Sequence, residues 1–341
     1  MDSAKREAGT AVAPSLAMKS RSLSLRLFGR RMVRAAGIGL IIAAALLPLT
    51  GNTFYMRLGI EAMLFGVLAL SVDILLGVAG MLSLGQAAFF GLGAYISALV
   101  LTQVGPSIWL AAGIAIATVG VFSTIIGAIA IRSSGVYFTL ITFGVGEVLG
   151  KVATNLSWLG GSDGLLGVPV PSVSVFGLVD LPLTNNIVFF YFAFALVLAL
   201  YFGVRRLLDT PFGAVLRGLH DNESRVPYLG YDPFRYKLAA FVLAAVVAGI
   251  GGMLYPVLRG FVGPNLFAFE ISARAVVMAL VGGIGTLIGG LAGGGLITFL
   301  ESVIATFTER YLTMLGAIFV IFVLFCPDGL IGFIRRKLQR T

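Results

Sequence analysis

Apolar runs, each long enough to form a helix, follow one another along almost the whole chain. Short polar breaks bearing glycine, proline or charge separate them. A helix needs about 20 apolar residues to cross the hydrocarbon of a bilayer, so each run reads as a membrane span. The pattern predicts ten, near 35–50, 57–77, 87–103, 108–131, 136–154, 185–204, 237–257, 271–287, 289–307 and 312–331. The breaks fit: Gly51-Asn52-Thr53 is a tight turn, GVAGMLSLGQ (77–86) a glycine-rich one, and Gly105-Pro106-Ser107 a chain break. The glycines of 271–307 also admit a re-entrant or broken helix. GVAGMLSLGQAAFFGLGAY (77–95) and VGGIGTLIGGLAGGGLITF (281–299) place a similar glycine-rich turn between spans. An internal duplication and a shared glycine bias both explain that likeness.

One break is different. From Arg205 to Lys237 the chain reads RRLLDTPFGAVLRGLHDNESRVPYLGYDPFRYK, with six of the 24 basic residues and the single histidine, His220. Thr210 is placed to cap a helix that starts at Pro211, where a missing amide hydrogen costs nothing. Phe212, Val215, Leu216 and Leu219 then share one face of a short amphipathic helix. Glu223 to Leu229 forms a second short segment stopped by Gly230, and Asp232-Pro233 opens the next helix.

Composition changes the picture only by naming the solvent. Of 341 residues 58% are hydrophobic and 11% charged, against about 25% charged in soluble domains. This surface belongs in lipid, and no separate soluble domain is present. The 45 glycines suit close helix packing in a membrane. The net charge of +9 does not mark a nucleic-acid binder. Arg26, Arg30, Arg31 and Arg34 precede the first apolar run, and Arg335, Arg336, Lys337 and Arg340 follow the last. Basic flanks mark the cytoplasmic side. The loop 155–184 has no Lys or Arg and falls outside, whereas 205–236 falls inside. The expected fold class is therefore an all-α polytopic bundle of about ten transmembrane helices with both termini cytoplasmic. A basic tail (1–34) precedes the membrane domain (35–332), which includes the 205–236 loop, and a second basic tail (333–341) follows. Thr50-Gly51-Asn52 is a poor cleavage site, so the first run reads as an uncleaved span.

Ionisable residues inside spans are costly and are paired or functional. Glu147 with Lys151, and Glu270 with Arg274, stand four residues apart, the spacing at which side chains meet on a helix. Asp73 and Glu301 have no such neighbour and need a partner across helices or water. Asp73, Gln86, Glu147, Lys151, Arg274 and Glu301 are the candidates for a translocation path. Glycines at 146/150, 289/293 and 290/294 have the small-xxx-small spacing of helix contacts. With one His and one Cys (Cys326), catalytic triads, His-rich metal sites and intrachain disulfides are not expected, so the chain reads as a non-enzyme without a cofactor.

Several strings, in order, resemble one known family. They are SLGQAAFFGLGAY (83–95), GVYFTLITFGVGEVL (135–149), GGSDGLLGVP (160–169), the stretch from TPFGAVLRGLHDNES (210–224) to Tyr255, the glycine-rich 260–289, and CPDGLIG (326–332). They are similar to the permease subunits, M-like in type, of bacterial ABC importers for branched-chain amino acids. The resemblance implies a multi-pass inner-membrane subunit with a homologous second permease, two ATPase subunits that hydrolyse the ATP, and a periplasmic substrate-binding protein. It also implies that Glu223 and Gly230, seven apart, belong to the ATPase-docking motif, with Arg217, Asp221, Asn222, Arg225 and Leu229 around them. Pro227, His220 and Gln86 depart from the family's usual residues. Relatives with these strings also serve urea, short amides or aromatic acids. The rival outside the family is an ion-coupled secondary transporter built on Asp73, Glu147 or Glu301.

Overall fold

The computed structural model describes residues 45–175 and 179–308, with isolated positions at 39 and between 310 and 329. The expected spans at 35–50 and 312–331 lie largely outside the described residues, as do both basic tails and Cys326. Along the chain run α1 (Thr53–Asp73, carried on to Val78 by a wider π turn), α2 (Gln86–Gln103), α3 (Ile108–Ala130), α4 (Val136–Asn155) and α5 (Asn186–Leu208). Then come α6 (Pro211–Asn222), α7 (Pro233–Met253) with its short continuation α8 (Tyr255–Arg259), α9 (Phe269–Gly282) and α10 (Ile288–Phe307). Among the described residues, seven helices are long and apolar enough to cross a bilayer: α1 to α5, α7 with α8, and α10. Polar turns start several of them. The side chains of Asn52, Asn185 and Asp232 accept the amide hydrogens of Phe54, Ile187 and Phe234, satisfying donors a helix start leaves unpaired.

The expected span at 271–287 is not a full crossing. With 14 residues, α9 rises about 21 Å at 1.5 Å per residue, short of the roughly 30 Å hydrocarbon core. An irregular stretch from Gly260 to Ala268 precedes α9. There β4 (Phe261–Val262) pairs antiparallel with β1 (Leu165–Leu166) of the 155–184 loop, and a 3-10 turn, Pro264–Phe267, follows. The same loop carries a hairpin of β2 (Ser172–Val175) and β3 (Val179–Pro182). A glycine-containing break at Gly283–Leu287 then returns the chain into α10.

The core is α1, α2 and α7. About 72%, 72% and 67% of their apolar windows are buried, against 22% for α3 and for α4, so the latter two hold the periphery. Apolar surface gains little by moving from lipid to protein, so helices associate here through close packing. Glycines supply it. Gly290 lies against Leu70 of α1, and a Cβ on Gly294 would overlap Gly66, while Gly289 and Gly293 turn toward the C-terminal half of α9. Gly93 meets Gly249 where α2 crosses α7, and Gly146 and Gly150 of α4 seat Phe267.

Candidate functional site

The polar stretch 205–236 folds onto one end of the bundle. Gly213 fits tightly against the backbone of Leu208, letting α6 turn back beneath α5, and Arg217 Nη1 donates to the Leu208 carbonyl at 3.2 Å. The apolar face of α6 is buried at Val215, Leu216 and Leu219, and Phe212 stacks on Tyr236 of α7. Pro211 does stand at the first helical position, but Thr210 does not cap it. Its hydroxyl donates backwards to the Leu207 carbonyl at 2.6 Å.

Beyond α6 come two 3-10 turns, Glu223–Arg225 and Pro227–Leu229, so Pro227 begins a turn and bends no longer helix. Gly230 ends them with φ 83°, a conformation that favours glycine. Asp221, Asn222 and Arg225 are exposed, as are Tyr228 (90%) and Leu229 (73%), an apolar pair standing free on a charged loop. Glu223 pairs with Lys237 of α7 at 2.6 Å.

This loop is tied to the bundle interior. The His220 ring packs on Gly80, where φ is 72° and a Cβ would lie 2.9 Å from it. Gly80 lies in the irregular segment 79–85, which α4 holds through two threonines. Thr139 Oγ1 donates to the Leu82 carbonyl at 2.7 Å, and Thr142 Oγ1 accepts the Leu84 amide hydrogen at 3.3 Å.

Asp73, close to the same end, is fully buried. Its two oxygens accept the amide hydrogens of Gly285 (2.5 Å) and Leu287 (2.7 Å) in the break before α10. That break holds Leu287 at φ 58°, and the Thr286 hydroxyl accepts the amide hydrogen of Gly289 in the first turn of α10 at 2.9 Å. Asp73 thus fixes, from another helix, the break that leads into α10. Gly77 lies against Gly285, so the two glycine-rich turns noted in the sequence pack on each other.

Toward the opposite end four charges form a neutral quartet. Glu61 of α1 pairs with Arg259 at 2.5 Å, and Arg274 of α9 pairs with Glu301 of α10. Arg274 also lies over the Phe65 ring, 4.5 Å from its centroid, and Tyr255 packs edge-on to Phe65 and Phe90. Arg274 Nε and Thr298 Oγ1 are buried without a partner. The pair expected within α9 is therefore not formed: Arg274 reaches across to Glu301, and Glu270 is exposed. Glu147 and Lys151 are exposed on α4, and no ion pair joins them. Gln86, the first residue of α2, is wholly buried with both side-chain polar atoms unpaired. The sequence reading missed Glu61 and Arg259. Glu61 stands inside the expected span 57–77, so the rule that selected Asp73 applies to it equally.

A helical bundle of apolar spans, with charges gathered in its interior and a built polar loop at one end, defines a multi-pass membrane protein. The model of the family described as branched-chain amino acid transport system / permease component matches residues 54–325, and the chain belongs to that family. The high-affinity branched-chain amino acid transport system permease protein LivM of Escherichia coli is 27% identical over 322 residues, covering 89% of this chain and 76% of that protein. The probable branched-chain amino acid transport permease protein LivH of Methanocaldococcus jannaschii is 30% identical over 154 residues, 42% of this chain and 48% of its own. The autoinducer 2 import system permease protein LsrC of Klebsiella pneumoniae is 31% identical over 119 residues, 33% and 34% of the two chains. No solved structure matches the chain.

Proposed function

We propose that this chain is the permease subunit of an ABC importer in the bacterial inner membrane, carrying branched-chain amino acids inward. Both termini and the 205–236 loop face the cytoplasm. Two partner ATPases hydrolyse ATP, a homologous second permease completes the path, and a periplasmic binding protein delivers substrate to the opposite face. The similarity to both LivM and LivH supports a two-permease assembly. The observation that carries the reading is the loop itself. It buries the apolar face of α6, yet leaves Tyr228, Leu229, the charges at Asp221 and Arg225 and the amide of Asn222 open. That surface suits a soluble partner better than lipid headgroups.

In this reading the ATPases push on Glu223 to Gly230, and α6 moves as a unit. His220 passes the displacement to Gly80 and the segment 79–85, and so to the start of α2 and Gln86. At the other end the Glu61–Arg259 and Arg274–Glu301 pairs form a neutral gate that opens when α1 and α10 part. Exposed Glu147, Lys151 and Glu270 lie on the face that meets the second permease and the substrate. Ion-coupled secondary transport is the less supported reading, because Asp73 and Glu301 are already engaged by backbone amides and by Arg274.

The test is uptake in proteoliposomes containing the permease pair, the ATPases and the binding protein. Glu223→Arg and Gly230→Pro should abolish ATP-driven uptake and ATPase co-purification while membrane insertion stays normal. Wild-type uptake rates in both variants would remove the docking assignment.

A further inference from the structure

Between α6, the α3–α4 turn and the segment 79–85 lies a cleft of about 340 Å³, at the lower end of the roughly 300–1,000 Å³ of small-molecule sites. Its lining divides by chemistry. Met81, Leu82, Phe138 and Leu219 are apolar, while Glu223 and Lys237 bring one charge of each sign. Lys237 is held, its side chain 12% exposed, whereas Glu223 is half exposed and open to replacement from solvent. Ser133 and Ser134 add hydroxyls, and the first turn of α4, which has no side-chain cap, also borders the space.

We propose that this cleft is a binding site for a zwitterionic α-amino acid with a branched apolar side chain, and that its occupation slows the transporter. The carboxylate takes the place of Glu223 on the Lys237 ammonium and accepts from the serine hydroxyls. The ammonium pairs with the displaced Glu223 carboxylate, and the side chain covers Met81, Leu82 and Phe138. A phosphate or lipid headgroup is disfavoured, because Glu223 repels an anion and most of the remaining surface is apolar. The occupant bridges the residues after α6 to the α3–α4 turn, so it pins the loop that must move. The physiological role, product inhibition from the ATPase side, rests on the importer reading above, but the binding site does not.

Two measurements separate them. In the first, the purified full-length chain in lipid nanodiscs is melted with L-leucine, isocaproate or isoamylamine. L-leucine raises the melting temperature, the two singly charged analogues do not, and Leu82→Trp, which fills the cleft and leaves the ion pair intact, removes the shift. No shift with L-leucine, or an equal shift in Leu82→Trp, overturns the site. In the second, the assembled importer in proteoliposomes is given L-leucine on the ATPase side. Wild-type uptake slows, and Val136→Trp, which narrows the cleft from the α4 side, does not respond. Lys237→Gln, read against its own leucine-free rate, raises the half-inhibiting concentration about tenfold, the loss of one charge-assisted hydrogen bond. Uptake indifferent to that leucine overturns product inhibition. If uptake is absent even without it, the importer reading fails and the melting experiment still decides the cleft.

Discussion

Asp73 spends both carboxylate oxygens on amide hydrogens of a distant break, holding Leu287 at positive φ where α10 begins. Hydrogen bonds to a charged acceptor contribute about 1.5–3 kcal/mol each. Asp73→Asn should therefore lower the melting temperature of the detergent-solubilised chain, and Asp73→Ala should lower it further. An unchanged transition in the alanine variant would show that α10 starts correctly without the carboxylate. Arg274 and Glu301 call for a different comparison. Removing one partner leaves a charge without compensation, a loss of about 3–5 kcal/mol for a buried pair, trimmed here because both side chains keep some solvent access (21% and 13%). Arg274→Gln alone should melt at a lower temperature than the Arg274→Gln/Glu301→Gln double variant. The reverse order would mean that the pair is not coupled. The types of residue involved were visible in the sequence, since acids inside apolar runs are few. Their partners were not, because Asp73 and Gly285 are 212 residues apart, and Glu61 and Arg259 are 198 apart.

At the scale of elements, glycine spacing turned out to encode contacts. The pairs at 289/293 and 290/294 lie on two adjacent faces of α10, one toward α9 and one toward α1. A side chain at Gly294 would run into the backbone of Gly66, and overpacking of this kind typically costs about 1–3 kcal/mol. Gly294→Leu should lower the yield of folded protein in fluorescence-detected size exclusion, whereas Gly295→Leu, with open space around its Cβ, should not. Equal yields would show that α1 and α10 can separate freely. Hydropathy placed α1 to α5, α7 and α10 to within a few residues, because crossing a bilayer is a local demand on each segment. It failed at α9. Apolar residues there continue past the helix end at Gly282, and only the backbone break at Gly283–Leu287 shows that the helix stops short of the expected boundary. Thr210 failed for a similar reason, since its hydroxyl has two places to bond and the end of α5 offers the nearer one.

At the scale of the whole molecule, the two ends of the bundle carry different chemistry. The α6 end has a charged loop, exposed apolar side chains and a cleft, and the other end has a neutral ion-pair quartet ringed by aromatics. Helix α1 joins the two ends, carrying Glu61 near its start and Asp73 and Gly77 at its finish. The sequence alone determined the solvent, the all-α class, seven of the crossings, the place of the polar loop and, through its ordered strings, the family. Each of these is written in local composition or in contiguous motifs. Tertiary structure alone decided that Arg274 meets Glu301 and not Glu270, that Asp73 holds the break before α10, that α9 falls short, and that His220 rests on Gly80. Those outcomes depend on which helix faces which. In a medium where every span is similarly apolar, that choice is made by the shape of close-packed surfaces and by the few charges that must find one another.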